Sequence, residues 1–493
     1  MEHDLSAFLI WFVRVFTTVF TGVVGLALLV ACVRHTRVLF TFVRQTFKSA
    51  FRYRLFWVLL GLVVVSVVGL PLLLKDDGTA RGFIQIMLTY TLSVITVQLG
   101  LATLWLGCGS LARDIEECQI QMVAVKPVGR WQIWLGKWLG ITLLNATLLA
   151  FSGLCIYGLL QWRAARLPEA QREILRNEIF LARGSLKEAP PDLEGDVQLQ
   201  MEKMPNRQSL SPAELQEARN RLKQRVQALY QVVPPDHLRR WTVDLGPRRL
   251  LLQDQALYLR VKFFAAATNA AGTYLGLWQV GPPNSSQARS VPQSLAANTF
   301  HEIKIPPNLF DEDGKLTVEF INRNNEALIF PLQDGFEVLY REGGFGLNFI
   351  RGLSIILCWL ALLAALGLAA ASLLSFPVAS FFSISILVVA LSSGTLSSVV
   401  QEGSLSGPNH ETGEVSRSPI DMVLLPLFRG LLAVVEVVQQ HAPVDALSTG
   451  RSITWTELGS AFGEIVLFLG GLLALTGMVV LTRRELALPS GHS

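Results

Sequence analysis

The chain has 493 residues, of which 51% are hydrophobic and only 16% charged, with a mean hydropathy of +0.42 and a formal net charge of +4. That balance is far more apolar than a soluble globular domain and excludes a wholly water-soluble protein. An integral membrane protein is expected, with lipid rather than nucleic acid as its surroundings.

Charge-free runs define the spans. They are Val15 to Val33, Leu55 to Leu74, Gly82 to Ala112, Trp138 to Trp162, Gly352 to Gln401 and Ile465 to Thr482, against the roughly 20 apolar residues a helix needs to cross a bilayer. The fifth is long enough for two spans folded back near Ser375, Phe376 and Pro377, giving seven. The expected fold is therefore an α-helical polytopic membrane protein of about seven transmembrane helices, carrying an α+β extracytoplasmic domain that contains a β-sandwich.

Residues 1–33 read as an extra N-terminal transmembrane helix. The leading charges are Glu2 and Asp4 rather than basic residues, and no small-residue cleavage site follows. Arg14 lies near the outer end of that run, where a long side chain can snorkel to the interface. Over 34–54, Phe40, Val43, Phe47 and Phe51 share one helical face while Arg44, Lys48 and Arg52 recur at four-residue intervals on another, which describes a cytoplasmic interfacial helix. The basic residues from Arg34 to Arg54, and Arg483 with Arg484 after the last span, set the orientation. Threading from there places the Ser110 loop and the Ser375 bend inside, and the N-terminus, Lys75 to Arg81, Arg163 to Arg351 and Glu402 to Glu457 outside.

Within 55–162, a charged segment over 110–133 separates two spans. Leu111, Ile115, Cys118 and Met122 recur at helical spacing, Arg113, Asp114, Glu116 and Glu117 take the other faces, and Pro127 marks the end. A helix lying at the membrane surface is expected. Gly136 and Gly140 add a GxxxG spacing that suits close helix packing.

The run Ala112 to Glu117, followed by Lys126, Pro127, Arg130, Trp131, Gly136, Lys137, Leu139 and Gly140, resembles the coupling segment of ABC transporter permeases of the type 2 (exporter) class. The resemblance extends over Val38 to Gln161 and Gly344 to Leu486, and departs from the family pattern at Cys118 and Gln119. It implies that Arg113, Asp114, Glu116, Glu117, Lys126, Pro127 and Arg130 dock a separate ABC ATPase subunit, and that Arg44, Lys48 and Arg52 belong to an elbow helix. It also implies a second permease copy or homologue, ATP and Mg on the partner subunit, and a place in the cytoplasmic membrane of a bacterium. No cofactor is expected on this chain. Its Gly-Lys pairs, Gly136-Lys137-Trp138 and Gly314-Lys315-Leu316, lack the Ser or Thr of a P-loop. The resemblance implies that ATPase activity is supplied by the partner, and no catalytic residue is expected here.

Arg163 to Arg351 is the one large soluble piece. Its first part, 163–235, reads as an extracytoplasmic helical region, with helical rhythm over Pro168 to Lys187 and Ser211 to Val232, and a polar, proline-marked loop from Pro190 to Leu210. Residues 236–345 switch to period two, as in Leu257, Leu259, Val261 and Phe263, or Leu316, Val318 and Phe320. Further strands are expected near Trp241 to Leu245, Thr273 to Val280, Phe300 to Ile305, Ala327 to Phe330 and Phe336 to Tyr340, which together suggest an antiparallel sandwich. The acidic Asp311 to Gly314 reads as a hairpin turn rather than a calcium loop. The histidines and cysteines show no metal-binding spacing, so no metal site is expected.

Residues 346–401 hold two spans, 402–457 an extracytoplasmic or re-entrant segment with an apolar stretch from Met422 to Val438, and 458–493 the last span and a cytoplasmic tail. Asn145 and Glu464, polar groups in or beside apolar runs, are candidate pathway residues. Two functions fit this layout. One is the membrane subunit of an exporter. The other is a non-transporting subunit that drives the external domain against an envelope partner, or a membrane-anchored sensor.

Overall fold

The structure is a computed structural model that describes residues 39–49, 54–73, 80–117, 128–169, 171–172, 175, 180–204, 212–246, 249–267, 272–282, 288–311, 313–392, 394, 397, 400 and 419–484. The expected first span, together with Arg52, Lys126 and Pro127, lies outside them. The chain divides into two units, 1–180 with 344–493, and 181–343.

The first unit is helical. Among the described residues its helices include α1 (39–49), α2 (Arg54–Leu73), α3 (Ala80–Glu116), α4 (Arg130–Ala165), α5 (Phe345–Leu373), α6 (Phe376–Leu391), α7 (Pro419–Gln440), α8 (Pro443–Ser448) and α9 (Trp455–Arg483). Among the described residues four are long and apolar enough to cross a membrane: Gln85–Glu116 of α3, α4, α5 and α9. The expectation of seven spans is thus corrected. Of the other expected spans, the first lies outside the described residues, Leu55 to Leu74 lies in the 20-residue α2, whose described apolar part is Phe56–Pro71, and the second half of the fifth run holds the apolar helix Phe376–Leu391. Ser392 caps α6, because small polar residues can end a helix without any charge to interrupt the apolar run.

Small residues let these helices approach closely, as packing in an apolar solvent requires. A Cβ on Gly107 of α3 would lie 3.2 Å from the Gly367 Cα of α5, and one on Gly367 would lie 3.0 Å from the Leu104 carbonyl oxygen. Ala361, Ala364, Ala365, Ala369, Ala370 and Ala371 are buried along the same helix. Gly136 and Gly140 of α4 face α1: their Cβ positions fall 2.5 Å from the Phe42 Cβ and 2.6 Å from the Thr46 Cβ. The face of α1 packed in this unit is built from Phe42, Thr46 and Phe47, while Phe40 is 67% exposed. Gly140→Leu should detach α1 from α4, since overpacking at a tight contact costs about 1–3 kcal/mol. Faster tryptic cleavage after Arg44 or Lys48 would report it, and unchanged cleavage would refute it.

The second unit holds β1 (Leu181–Leu186), α10 (Leu193–Glu202), α11 (Pro212–Gln231), β2 (Val232–Val233), β3 (Leu238–Asp244), α12 (Arg249–Leu252), β4 (Leu257–Val261), β5 (Phe264–Ala265), β6 (Thr273–Val280), β7 (Arg289–Ala296), β8 (His301–Ile305), β9 (Lys315–Asn322), β10 (Leu328–Ile329) and β11 (Phe336–Gly344). Three sheets have the orders β1-β11-β4-β8, β2-β10-β5 and β3-β9-β6-β7. The alternation read from the sequence is used directly. Leu257, Leu259 and Val261 of one sheet and Trp241, Trp278, Val318 and Phe320 of another enter a single hydrophobic core. Trp241 stacks on Phe336 at 4.6 Å between ring centroids.

Two local expectations are overturned. Leu181–Leu186, read as helical, is a strand, and its Arg183 makes a buried bidentate pair with Glu302 at 2.7 and 3.0 Å. The supposed loop after Pro190 contains α10, whose N-terminus is capped by the Asp192 carboxylate accepting from the Gly195 N–H at 2.9 Å. The acidic turn at Asp311 is a turn but joins no hairpin, because β8 and β9 belong to different sheets.

Helices α10 and α11 are joined by Glu194, which accepts from Lys223 at 2.8 Å and Arg219 at 2.9 Å. Those bonds hold the Glu194 carboxyl at about 2, below its ordinary 4.5. A depressed folded pKa gives stability that is present above about pH 4.5 and is lost as pH falls toward 2. Because the pair is largely exposed, the contribution is about 1 kcal/mol or less. Amide exchange of 193–202 should accelerate over that window in the parent and not in Glu194→Gln; equal pH responses would refute the assignment.

Candidate functional site: a junction of helix ends

The first part of the charged segment, Ser110 to Glu116, belongs to α3. Helix α3 continues without a break through Glu116, since Ala112 to Glu116 contains no residue that disfavours helix. Leu111 and Ala112 are buried, and only the far part of the segment, 118–127, falls outside the described residues. The end of α3 instead meets the ends of four other helices.

A helix C-terminus leaves four carbonyls without partners, and its N-terminus four N–H groups. At this junction neighbouring helices supply them. Arg130, the first residue of α4, donates through one guanidinium nitrogen to the carbonyls of Leu481, Thr482 and Arg484 at 2.8, 2.9 and 3.0 Å, closing the end of α9. Arg484 donates to the Ser372 carbonyl at 3.0 Å, closing the end of α5. The Glu116 carboxylate accepts the Phe376 N–H at 2.9 Å, opening α6. Each charge has the sign favoured by the dipole of the helix it closes, though Glu116 and Arg130 carry the opposite of what the ends of their own helices favour.

Asp114 sits at the C-terminal end of α3, where an anion is disfavoured, and it is neutralised by Lys137 of α4 at 2.6 Å. The Lys137 ammonium also donates to the Ser110 carbonyl at 2.6 Å, and its side chain is only 10% exposed. Arg113 lies over the Phe376 ring at 4.5 Å, a cation–π contact.

Of the residues singled out from the sequence, Arg113, Asp114, Glu116 and Arg130 therefore converge here. Glu117 is exposed beside them, with its N–H donating to the Arg113 carbonyl at 2.8 Å. Arg44 and Lys48 are exposed on α1. Asn145 is buried within α4, its side-chain amide nitrogen without a partner among the described residues. Glu464 lies at the opposite half of the unit, near His441.

Phe376 and Arg484 were missed as members of the site, and Lys137, named in the run that carries the resemblance, was not counted among its charges. The available signals were a cation at the rim of an apolar run for Lys137 and a cation after the last helical turn for Arg484. Phe376 carried no signal, because it contributes a backbone N–H.

No family model and no curated protein matches this chain. Four polar ties join these five helix ends.

Proposed function

We propose that this chain is the membrane-spanning permease subunit of an ABC-type exporter, coupling ATP hydrolysis on a separate ATPase subunit to translocation across the cytoplasmic membrane. The observation that supports this reading is the junction itself, where the segment resembling a coupling segment is tied to the ends of α6 and α9, and the end of α9 in turn to that of α5. In this reading the junction is cytoplasmic, and ATPase closure pushes on 110–130. The ties convert that push into rigid-body rocking of the membrane helices. Glu117 and the exposed parts of Arg113 and Glu116 offer the docking charge, with Lys126 and Pro127 beyond them. A second permease copy completes the complex, and ATP and Mg reside on the ATPase.

A second reading is favoured by the unit 181–343, which has its own aromatic core. As an extracytoplasmic sandwich it would serve as the moving part of a complex that transports nothing and acts on an envelope partner.

Reversing both Glu116 and Glu117 to Lys should abolish copurification of the ATPase from the native host. Copurification and hydrolysis equal to the parent would sink the coupling role. Because Glu116 also opens α6, Glu116→Gln paired with Glu117→Lys separates docking from folding: the glutamine keeps the acceptor for the Phe376 N–H. Vesicle uptake then separates the two readings, since the second predicts ATPase stimulation without uptake.

A further inference from the structure

We propose that His441 and Glu464 form a proton-binding site that fastens α7 to the last membrane-crossing helix. Glu464 lies inside α9, a helix long and apolar enough to cross a membrane. An ionisable side chain in such a helix is costly and persists where it has a partner and a task. Its partner is His441, just past the end of α7, with Nε2 3.3 Å from the Glu464 carboxylate. The imidazole side chain is 10% exposed and the carboxylate 46% exposed, so the ring is sheltered while the carboxylate is only partly enclosed by protein.

A second observation marks the same place. The backbone from Phe462 to Gly470 is π-helical, and Glu464 lies in its first turn. A π-helical stretch is rare, is seldom longer than one turn, and concentrates at functional positions. Helix α7 packs against this stretch, so the His441 contact joins an amphipathic helix to the irregular part of α9.

Other charged groups on the elements packed there have separate work. Glu457 accepts the Thr454 N–H at 2.7 Å, capping the start of α9. Arg351 of α5 donates to the Ile453 carbonyl at 2.8 Å and lies over the Trp455 ring at 4.6 Å. Asp445 is on α8 and Arg451 follows it, Arg429 and Glu436 are exposed on α7, and Arg483 closes the far end of α9.

Imidazole is the side chain whose charge changes between about pH 5 and 8. On taking a proton from solvent, both ring nitrogens carry hydrogen, and Nε2–H donates to the carboxylate with full Coulombic attraction. On returning the proton to solvent, the pair keeps only a hydrogen bond from a neutral ring. The fastening is therefore tight in acid and slack in base. The claim is independent of whether anything is transported.

The test is amide exchange of the full chain in lipid nanodiscs at about pH 5.5 and about pH 8, corrected for the intrinsic rates. In the parent, exchange over 436–448 and 462–470 should be about fivefold slower at the lower pH, the scale of a partly exposed ion pair. H441Q and E464Q should match the parent at the higher pH, which shows that they fold, and should lose the slowing at the lower. A parent with equal protection at both pH values overturns the proposal, as does a variant that keeps the parent's response. Neither outcome bears on the ATPase, so the permease reading stands or falls separately.

Discussion

Gly367→Leu is expected to leave little folded protein. What a side chain at Gly367 would meet is backbone: its Cβ would fall 3.0 Å from the Leu104 carbonyl oxygen and 3.2 Å from the Gly107 Cα. A flexible neighbour could rotate away, but backbone within a helix cannot, so α3 and α5 would have to separate along their buried faces. Overpacking of this kind costs about 3 kcal/mol or more, a large fraction of the stability of an ordinary domain. Gly367→Ala should cost less and give a graded loss. Melting followed by tryptophan fluorescence in detergent, with monodispersity by gel filtration, would show it. A leucine variant with the parent's melting temperature would mean that α3 and α5 do not cross here.

Lys137→Met should be the most damaging change at the junction of helix ends. Removing one partner of a sheltered ion pair strands the other charge, at about 3–5 kcal/mol for a fully buried pair. Asp114 is 32% exposed, so water recovers part of that and about 2 kcal/mol is expected. The methionine preserves the packing of the aliphatic stem, which isolates the charge. Adding Asp114→Asn should restore most of the loss, because the stranded carboxylate is gone. If the double variant melts no higher than the single one, the pair is not what fixes α3 to α4.

The membrane half was legible wherever charge bounded an apolar run. Gly82 to Ala112 and Trp138 to Trp162 sit within α3 and α4. It was illegible where the boundary is neutral, as at Ser392, while at Arg113 to Glu116 the helix was read but not its unbroken continuity with the apolar run before it. In the second unit, period-two strands such as Leu257–Val261 were plain, since one face must be buried. Strand β7 was not, because it pairs only with β6, carries Pro292 and has little buried surface to impose a rhythm. The cap at Asp192 was a readable helix signal masked by the prolines before it.

At the candidate site, sequence named the charges but not their partners. Arg130 and Leu481 are 351 positions apart, and Glu116 and Phe376 260. Local pattern treats such charges as solvent-facing, because the groups that satisfy them come from other helices. Only the fold reveals that they serve as caps.

Borrowed caps make fraying a collective event. A helix that ends on its own residues can unwind its last turn without consulting its neighbours. Here the last turn of α9 is held by the first residue of α4, the last turn of α5 by Arg484 that follows α9, and the first turn of α6 by the end of α3. Opening any one exposes the carbonyls or N–H groups of another, so these turns behave as one cooperative unit in native-state exchange.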